Sequence, residues 1–219
     1  MKENIKALLL DLDGTLINSE KAFFESFKEI LSNYGINITK EEYKRYELEQ
    51  NAMLLKTLRT ICHNLDGLTD QDIMALIYDN YTSQFLKVID EEEARDNFKL
   101  LVELKKKGYI LALVSTCRRY YINMLLEKHN IEDLFDFIVA REDPKKLKPD
   151  PEAYYMALEY LRLTPNECLA IEDSKRGIDA AVIANIPTIK VDNFTEIKYH
   201  DDRVIEEDSC NEVLRKLLK

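Results

Sequence analysis

Histidine and cysteine, the residues that most often build transition-metal sites, are scarce in this sequence. Its 219 residues include three histidines and four cysteines. The histidines lie far apart along the chain, which argues against an imidazole metal site and against a Ser-His-Asp triad. The cysteines are widely spaced and form no C-x-x-C pair, so neither a zinc site nor a disulfide framework is predicted. Catalytic chemistry is therefore expected from carboxylates.

Net positive charge and long apolar runs are also lacking. The formal net charge is −10 at pH 7, whereas nucleic acids and acidic membranes are bound through clustered Lys and Arg. No stretch approaches the roughly 20 apolar residues that span a bilayer. Asp11 and Asp13 interrupt the N-terminal apolar run before it could form a signal-peptide core. We expect a cytoplasmic monomer with a small diffusible partner and no nucleic-acid or membrane partner.

Short apolar runs alternate with helical patterns through most of the chain. Apolar strands are predicted at residues 5–10, 109–114, 137–140, 168–173 and 187–191. Continuous apolar runs separated by helices are typical of parallel strands that are buried on both faces. The pattern predicts an α/β fold with a doubly wound, five-stranded parallel sheet and helices on both faces.

One long segment contains helical patterns only. Thr39 with Glu42, and Thr69 with Asp72, have the spacing of capping boxes at helix starts. We predict an inserted all-helical cap domain at residues 18–92 and an α/β catalytic core at residues 1–17 and 93–219. Because the insertion leaves the sheet just after Asp13, we expect it to lie above the crevice at the carboxyl ends of the strands.

Polar side chains follow the predicted strands at that edge. They are Asp11 and Asp13, Ser115 and Thr116, and Glu172 and Asp173, with Lys148 in a loop before a helix. Several carboxylates at one edge repel one another unless a cation balances them. Oxygen ligands favour Mg²⁺ over a soft metal. A hydroxyl and an ammonium group beside Mg²⁺ are suited to holding a phosphate.

The candidate nucleophile is itself a carboxylate. Asp11 can attack phosphorus to form an acyl phosphate, and Asp13 is placed to protonate the leaving oxygen and later to deprotonate water. The residues thus indicate phosphoryl transfer through an aspartyl phosphate, with Mg²⁺ as the balancing cation.

Four motifs in order resemble the haloacid dehalogenase superfamily of phosphohydrolases. They are "DLDGTL", "LVSTC", "KLKPDPEAY" and "IEDSKRGIDAA", and they extend from residue 11 to about residue 181. The insertion is similar to the helical cap of the phosphoglycolate-phosphatase and β-phosphoglucomutase branch. The resemblance implies a Mg²⁺-dependent phosphatase that hydrolyses a small phosphomonoester through an aspartyl-phosphate intermediate. In it, Asp11 is the nucleophile and Asp13 the general acid and base.

The same resemblance implies the remaining roles. Ser115, with Thr116 beside it, binds the phosphate, and Lys148 is the positive clamp. Asp173 binds Mg²⁺ together with the Asp11 side chain and the Asp13 backbone carbonyl. Glu172 lies near the waters of the metal, outside its direct ligands.

Other functions remain open at this point. A β-phosphoglucomutase-like mutase is less favoured, because such enzymes carry an Arg-x-x-x-Gly-x-x-Arg stretch in the cap and residues 36–60 contain no glycine. Asp13 argues against a 2-haloacid dehalogenase, and the insertion argues against a phosphoacceptor signalling domain. A non-catalytic binding protein on the same fold is a further alternative. The sequence does not rank Lys44, Arg45, Glu47, Gln50 or Lys56 as substrate contacts.

Overall fold

The central sheet contains six strands where the sequence predicts five. The structure, a computed structural model, describes residues 4–47, 67–192 and 197–219. In these residues the strands are β1 (Ala7–Leu10), β2 (Ile110–Val114), β3 (Phe137–Val139), β4 (Cys168–Glu172), β5 (Thr188–Val191) and β6 (Val204–Glu207). They pair in parallel in the order β3-β2-β1-β4-β5-β6. The predicted parallel α/β fold is confirmed, and the number of strands is corrected.

The additional strand is an edge strand. β6 pairs only with β5 in the sheet order, and its four residues are half-buried or exposed. Two of them are acidic, which is common where an edge is protected against pairing with other chains. Its "VIEE" sequence therefore lacks the apolar run that marks the five predicted strands.

In the described part of the chain, helices separate most successive strands. They are α1 (Ser19–Ser32), α2 (Lys40–Glu47), α3 (Asp70–Val88), α4 (Glu92–Lys106), α5 (Arg119–His129), α6 (Glu152–Leu161), α7 (Lys175–Ile183) and α8 (Cys210–Leu218), with a 3₁₀ turn at Pro165–Glu167. In the described ranges, no helix combines the length and apolar character needed to cross a membrane.

The middle of the sheet is formed by β1. It pairs with β2 on one side and with β4 on the other, and all four of its residues are fully buried. From β1 the chain fills one half of the sheet through β2 and β3, and then the other half through β4, β5 and β6. The strand order therefore reverses between β1 and β4, and ligands bind at such a reversal in open α/β sheets.

The chain divides into two compact units. The core unit comprises Met1–Asn18 and Ile89–Lys219, and the insert unit comprises Ser19–Val88. In the insert unit, α1 packs against α3, and the Ser26 hydroxyl donates to the Ile77 carbonyl at 2.6 Å. Both predicted capping boxes form, since the Glu42 carboxylate accepts from the Thr39 N–H and the Asp72 carboxylate from the Thr69 N–H.

Two helices of the core unit begin beside residues of the predicted site. The helix after Lys148 begins at Glu152, with Pro151 at the N-cap, and the Asp150 carboxylate accepts from the Glu152 N–H at 3.1 Å. The helix after Asp173 begins at Lys175, and the Ser174 side chain caps it by accepting from the Gly177 N–H at 3.1 Å.

Candidate active site

The turn after β1 places the two aspartates of the first motif. The Asp11 N–H donates to the Ile171 carbonyl of β4 at 3.1 Å, which keeps Asp11 in line with the sheet. The chain then folds back, and the Gly14 N–H donates to the Ile17 carbonyl at 2.8 Å. Gly14 has φ +81°, a conformation that disfavours residues with a β-carbon. Asp11, before the turn, is buried, whereas Asp13 is half-buried.

Lys148 lies at the centre of the site. Its Nζ donates to Asp11 Oδ1 at 2.7 Å, to the Val114 carbonyl at 2.7 Å and to Glu172 Oε1 at 2.5 Å. The side chain is 5% exposed, and an ammonium group has three donors. All three are therefore used by groups at the ends of β1, β2 and β4. This selects Lys148 over the exposed Lys145 and Lys146 of the same loop.

Glu172 is fully buried and shares one oxygen between two donors. Oε1 accepts from Lys148 and also from the Tyr154 hydroxyl at 2.6 Å. Oε2 is buried and has no hydrogen-bond partner among the described atoms. Tyr154 is itself fully buried, so its hydroxyl needs a partner in the interior.

The remaining predicted residues form a second group of contacts. The Thr15 hydroxyl donates to Asp173 Oδ1 at 2.9 Å. Ser115 Oγ accepts from the Cys117 N–H at 3.0 Å and lies 3.4 Å from Asp13 Oδ2, a long contact. Neither Ser115 nor Thr116 caps α5, whose N-cap is Arg118. Within the described chain, the Thr116 hydroxyl makes no hydrogen bond to these acids.

Burial and charge act together on the pKa values of the site. Burial raises the pKa of the Asp11 carboxyl well above its usual range; Lys148 opposes the rise, while Glu172 and Asp13 add to it. Burial alone would lower the pKa of Lys148, but the charges of Asp11 and Glu172 outweigh it, so the pKa is raised. Lys148 therefore remains an ammonium group, and its single charge does not balance the surrounding acids.

Three carboxylates are arranged in a way that fits a cation. One oxygen from each of Asp11, Glu172 and Asp173 lies within 4.8 Å of the others, and all three residues are buried. Together with the unpartnered Oε2 of Glu172, this donor set suits a hard cation such as Mg²⁺. The structure thus groups Glu172 with the two aspartates, whereas the resemblance implies a position outside the direct ligands.

The structure also adds residues beyond those predicted from the motifs. The hydroxyls of Tyr154 and Thr15 donate to Glu172 and Asp173, two acids of the site. The Arg176 side chain donates to the Lys148 carbonyl at 2.9 Å through Nε. Gly177 stands within a helical pattern, where glycine is less favourable than alanine; this indicates a packing reason for the glycine but does not identify the group that packs there.

The insertion residues left open as substrate contacts lie at the edge of the described residues or outside them. Gln50 and Lys56 lie outside the described residues, and the side chains of Lys44, Arg45 and Glu47 are outside the description as well. The glycine-free stretch at residues 36–60, on which the comparison with mutases depends, lies partly outside it too.

The buried carboxylates lie at the reversal point of a doubly wound sheet. Residues 8–191, which include them, match the haloacid dehalogenase-like hydrolase family. The chain belongs to this family, as the resemblance of its four motifs predicts.

Individual relatives carry more specific names. Pyrophosphatase PpaX from Bacillus cereus is 30% identical over 189 residues, which are 85% of this chain and 83% of PpaX. A phosphorylated carbohydrates phosphatase from Thermotoga maritima is 29% identical over 199 residues, 84% of each chain. The crystal structure of β-phosphoglucomutase from Clostridium difficile has a TM-score of 0.66 at 22% identity and covers 98% of this chain and 97% of that one. This last similarity shows a shared fold.

Proposed function

We propose that the protein is a Mg²⁺-dependent phosphatase that hydrolyses a small phosphomonoester through an aspartyl phosphate on Asp11. The observation that carries the proposal is the buried contact between Asp11 and Lys148, 2.7 Å long, beside Glu172 and Asp173 at the reversal of strand order. This arrangement supplies a carboxylate nucleophile and a fixed positive charge beside it.

The reaction proceeds in two steps. A carboxylate oxygen of Asp11 attacks phosphorus, the bond from phosphorus to the ester oxygen breaks, and the Asp13 carboxyl gives its proton to the leaving oxygen. Water then attacks the same phosphorus after the Asp13 carboxylate takes its proton. The bond between phosphorus and Asp11 breaks, inorganic phosphate leaves, and both aspartates return to their starting states.

The buried acids would also hold the proposed metal next to the nucleophile. Asp11, Asp173 and the Asp13 backbone carbonyl would hold Mg²⁺, with Glu172 beside them, and the ion would offset negative charge on the transferring phosphoryl group. Lys148 adds a second positive charge next to Asp11. Ser115, with Thr116 next in the chain, is proposed to donate to the phosphoryl oxygens.

We assign the choice of substrate to the insert unit. Its chain begins at Ser19, a short distance after Asp13, and returns to the core unit at Ile89. The protein would act as a cytoplasmic monomer on a phosphorylated carbohydrate or a similar metabolite. The relative named phosphorylated carbohydrates phosphatase supports this substrate class, and the relatives named pyrophosphatase PpaX make inorganic pyrophosphate the second substrate to test.

A panel of phosphate compounds tests the proposal. Sugar phosphates, phosphoglycolate, nucleoside monophosphates and pyrophosphate are each incubated with the protein and Mg²⁺, and released phosphate is measured. We expect release from at least one of them, and its loss in Asp11→Asn. Asp133→Asn is the matched control, because Asp133 is an exposed aspartate remote in sequence from the motifs. Normal release by Asp11→Asn would exclude the mechanism.

A hexose 1-phosphate in the same panel distinguishes the main alternatives. Hydrolysis releases inorganic phosphate from it. A mutase of the β-phosphoglucomutase type would instead form the 6-phosphate faster than phosphate appears. A phosphoacceptor domain would become phosphorylated and stay so, and a binding protein would leave the compound unchanged.

A further inference from the structure

Gly177 lies directly against the carboxylate of Glu172. A β-carbon built at Gly177 would be 2.0 Å from Glu172 Oε2, 2.2 Å from Cδ and 2.4 Å from Oε1. Real β-carbons essentially never approach other heavy atoms this closely. The carboxylate therefore occupies the space that a side chain would take at this position of α7.

The backbone conformation of α7 does not require a glycine. The glycines with positive φ are Gly14, Gly35, Gly67 and Gly108 in the described chain, and Gly177 is not among them. Glycine within a helix is unfavourable compared with alanine, because it loses more conformational freedom on folding. A reason other than φ must explain Gly177, and the contact with Glu172 provides one.

Neither side of this contact has an easy way to move. Glu172 is the last residue of β4, is fully buried, and is held by Lys148 and Tyr154 at 2.5 and 2.6 Å. On the other side, the Gly177 N–H donates to the Ser174 hydroxyl at 3.1 Å, which fixes the first turn of α7. An added methyl group would have to displace the carboxylate or the helix start.

We propose that Gly177 is a positioning residue for the active site: its missing side chain leaves the space in which Glu172 holds the Lys148 ammonium group against Asp11. This inference rests on the proposed function where activity is concerned. Displacing the Glu172 carboxylate removes one of the three acceptors of Lys148, and the remaining two do not fix the ammonium group in the same place.

A double-mutant cycle between Gly177→Ala and Glu172→Ala tests the proposal. If Gly177 acts through Glu172, Gly177→Ala lowers kcat/KM for the best substrate of the panel by about 10- to 100-fold. In the Glu172→Ala background the same change alters kcat/KM by less than about 2-fold. A glycine that served only helix packing would give the same fold-change in both backgrounds, which would overturn the proposal.

Thermal unfolding of the metal-free protein gives a second cycle that needs neither substrate nor Mg²⁺. We expect Gly177→Ala to lower the unfolding midpoint when Glu172 is present. In the Glu172→Ala background, alanine at position 177 has space and favours the helix. The unfolding midpoint of the double variant is therefore about 2–4 °C above that of Glu172→Ala alone. Equal shifts of the midpoint in both backgrounds would overturn the proposed action of Gly177 through Glu172. This result would count even if no phosphate compound proved to be a substrate.

Gly108→Ala is the matched control. Gly108 has φ +96° and nothing within 4 Å of the position of its β-carbon, so alanine there strains the backbone without a clash. We expect a lower unfolding midpoint with unchanged kcat/KM, which separates loss of stability from loss of positioning.

Discussion

Lys148 shows how one residue organises this site. Its ammonium group connects the ends of three strands through Asp11, Val114 and Glu172, and it does so while nearly excluded from solvent. A buried charge of this kind is stable only with its partners in place. The same pairing that would orient the nucleophile thus also contributes to folding.

Lys148→Met should destabilise the protein in a pH-dependent way. It leaves buried carboxylates without their cation, at a cost of about 3–5 kcal/mol in the free energy of unfolding at pH 7. Because the folded-state pKa of Lys148 is raised above the usual 10.5, its contribution is complete below pH 10.5 and is lost as the pH rises further. Urea unfolding should show this difference narrowing by about 1.4 kcal/mol per pH unit above pH 10.5.

The control for this experiment is Lys146→Met in the same loop. The Lys146 side chain is 74% exposed, so its replacement should change the free energy of unfolding by less than about 0.5 kcal/mol. A difference between wild type and Lys148→Met that stayed constant up to pH 12 would contradict the raised pKa.

Tyr154→Phe removes one of the two donors to Glu172 Oε1 and keeps the ring. Because Tyr154 and Glu172 are both fully buried, we expect a loss of about 1.5–3 kcal/mol in the free energy of unfolding, together with a lower kcat/KM. Tyr155→Phe is the matched control, since Tyr155 is the exposed neighbour in the same helix. Equal urea midpoints for the two variants would show that the hydrogen bond from Tyr154 to Glu172 does not stabilise the folded protein.

The charged residues that the structure brings together were predicted from the sequence, whereas most of the residues that hydrogen-bond or pack against them were not. Four of the charged residues could be grouped from the sequence because each stands at the end of a recognisable strand or before a recognisable helix: Asp11, Glu172, Asp173 and Lys148. Tyr154 and Gly177 could not, since their roles depend on which face of α6 and α7 approaches β4. Which helix face approaches β4 is set by packing in three dimensions, and residue spacing along the chain does not encode it.

At the scale of elements, burial decides which features are visible in the sequence. β1 and β4 are wholly buried and stand out as apolar runs, whereas β6 is short, acidic and at an edge. The sequence of a single strand does not show which strands lie next to it in the sheet, so the strand order was not predicted. It results from crossovers that fill first one half of the sheet and then the other.

The start of α3 offers a test of a local rule. Thr69 accepts from the Asp72 N–H at 3.1 Å, and the Asp72 carboxylate accepts from the Thr69 N–H at 2.7 Å. Thr69→Ala should cost about 1 kcal/mol in the free energy of unfolding, measured by urea denaturation. Thr69→Ser keeps the hydroxyl and should stay close to wild type; if serine proved as costly as alanine, the capping account would be wrong.

At the scale of the whole molecule, the fold brings together acids from distant parts of the chain. Asp11 and Asp173 come from strands that are adjacent only because the sheet is doubly wound. Their mutual repulsion is a cost to the folded state that a bound cation would relieve. Family membership rests on residues 8–191. The choice of substrate, which we propose to lie in the insert unit, does not follow from the shared fold.

Mg²⁺ should therefore stabilise the folded protein. By mass action, a Mg²⁺ concentration about 100 times the Kd adds about 2.7 kcal/mol to the free energy of unfolding, seen as a higher thermal midpoint that chelation reverses. Asp173→Asn should reduce this shift, and the control Asp133→Asn should retain it. A full shift in Asp173→Asn would remove Asp173 from the proposed ligands.

The central claim is that Asp11 carries the phosphoryl group. The most direct measurement uses Asp13→Asn, which cannot activate water, with p-nitrophenyl phosphate, whose leaving group departs without a proton. After an acid quench, peptide mass spectrometry should find one phosphoryl group, located on Asp11. A phosphoryl group on another residue, or none while p-nitrophenol is still released, would contradict the account.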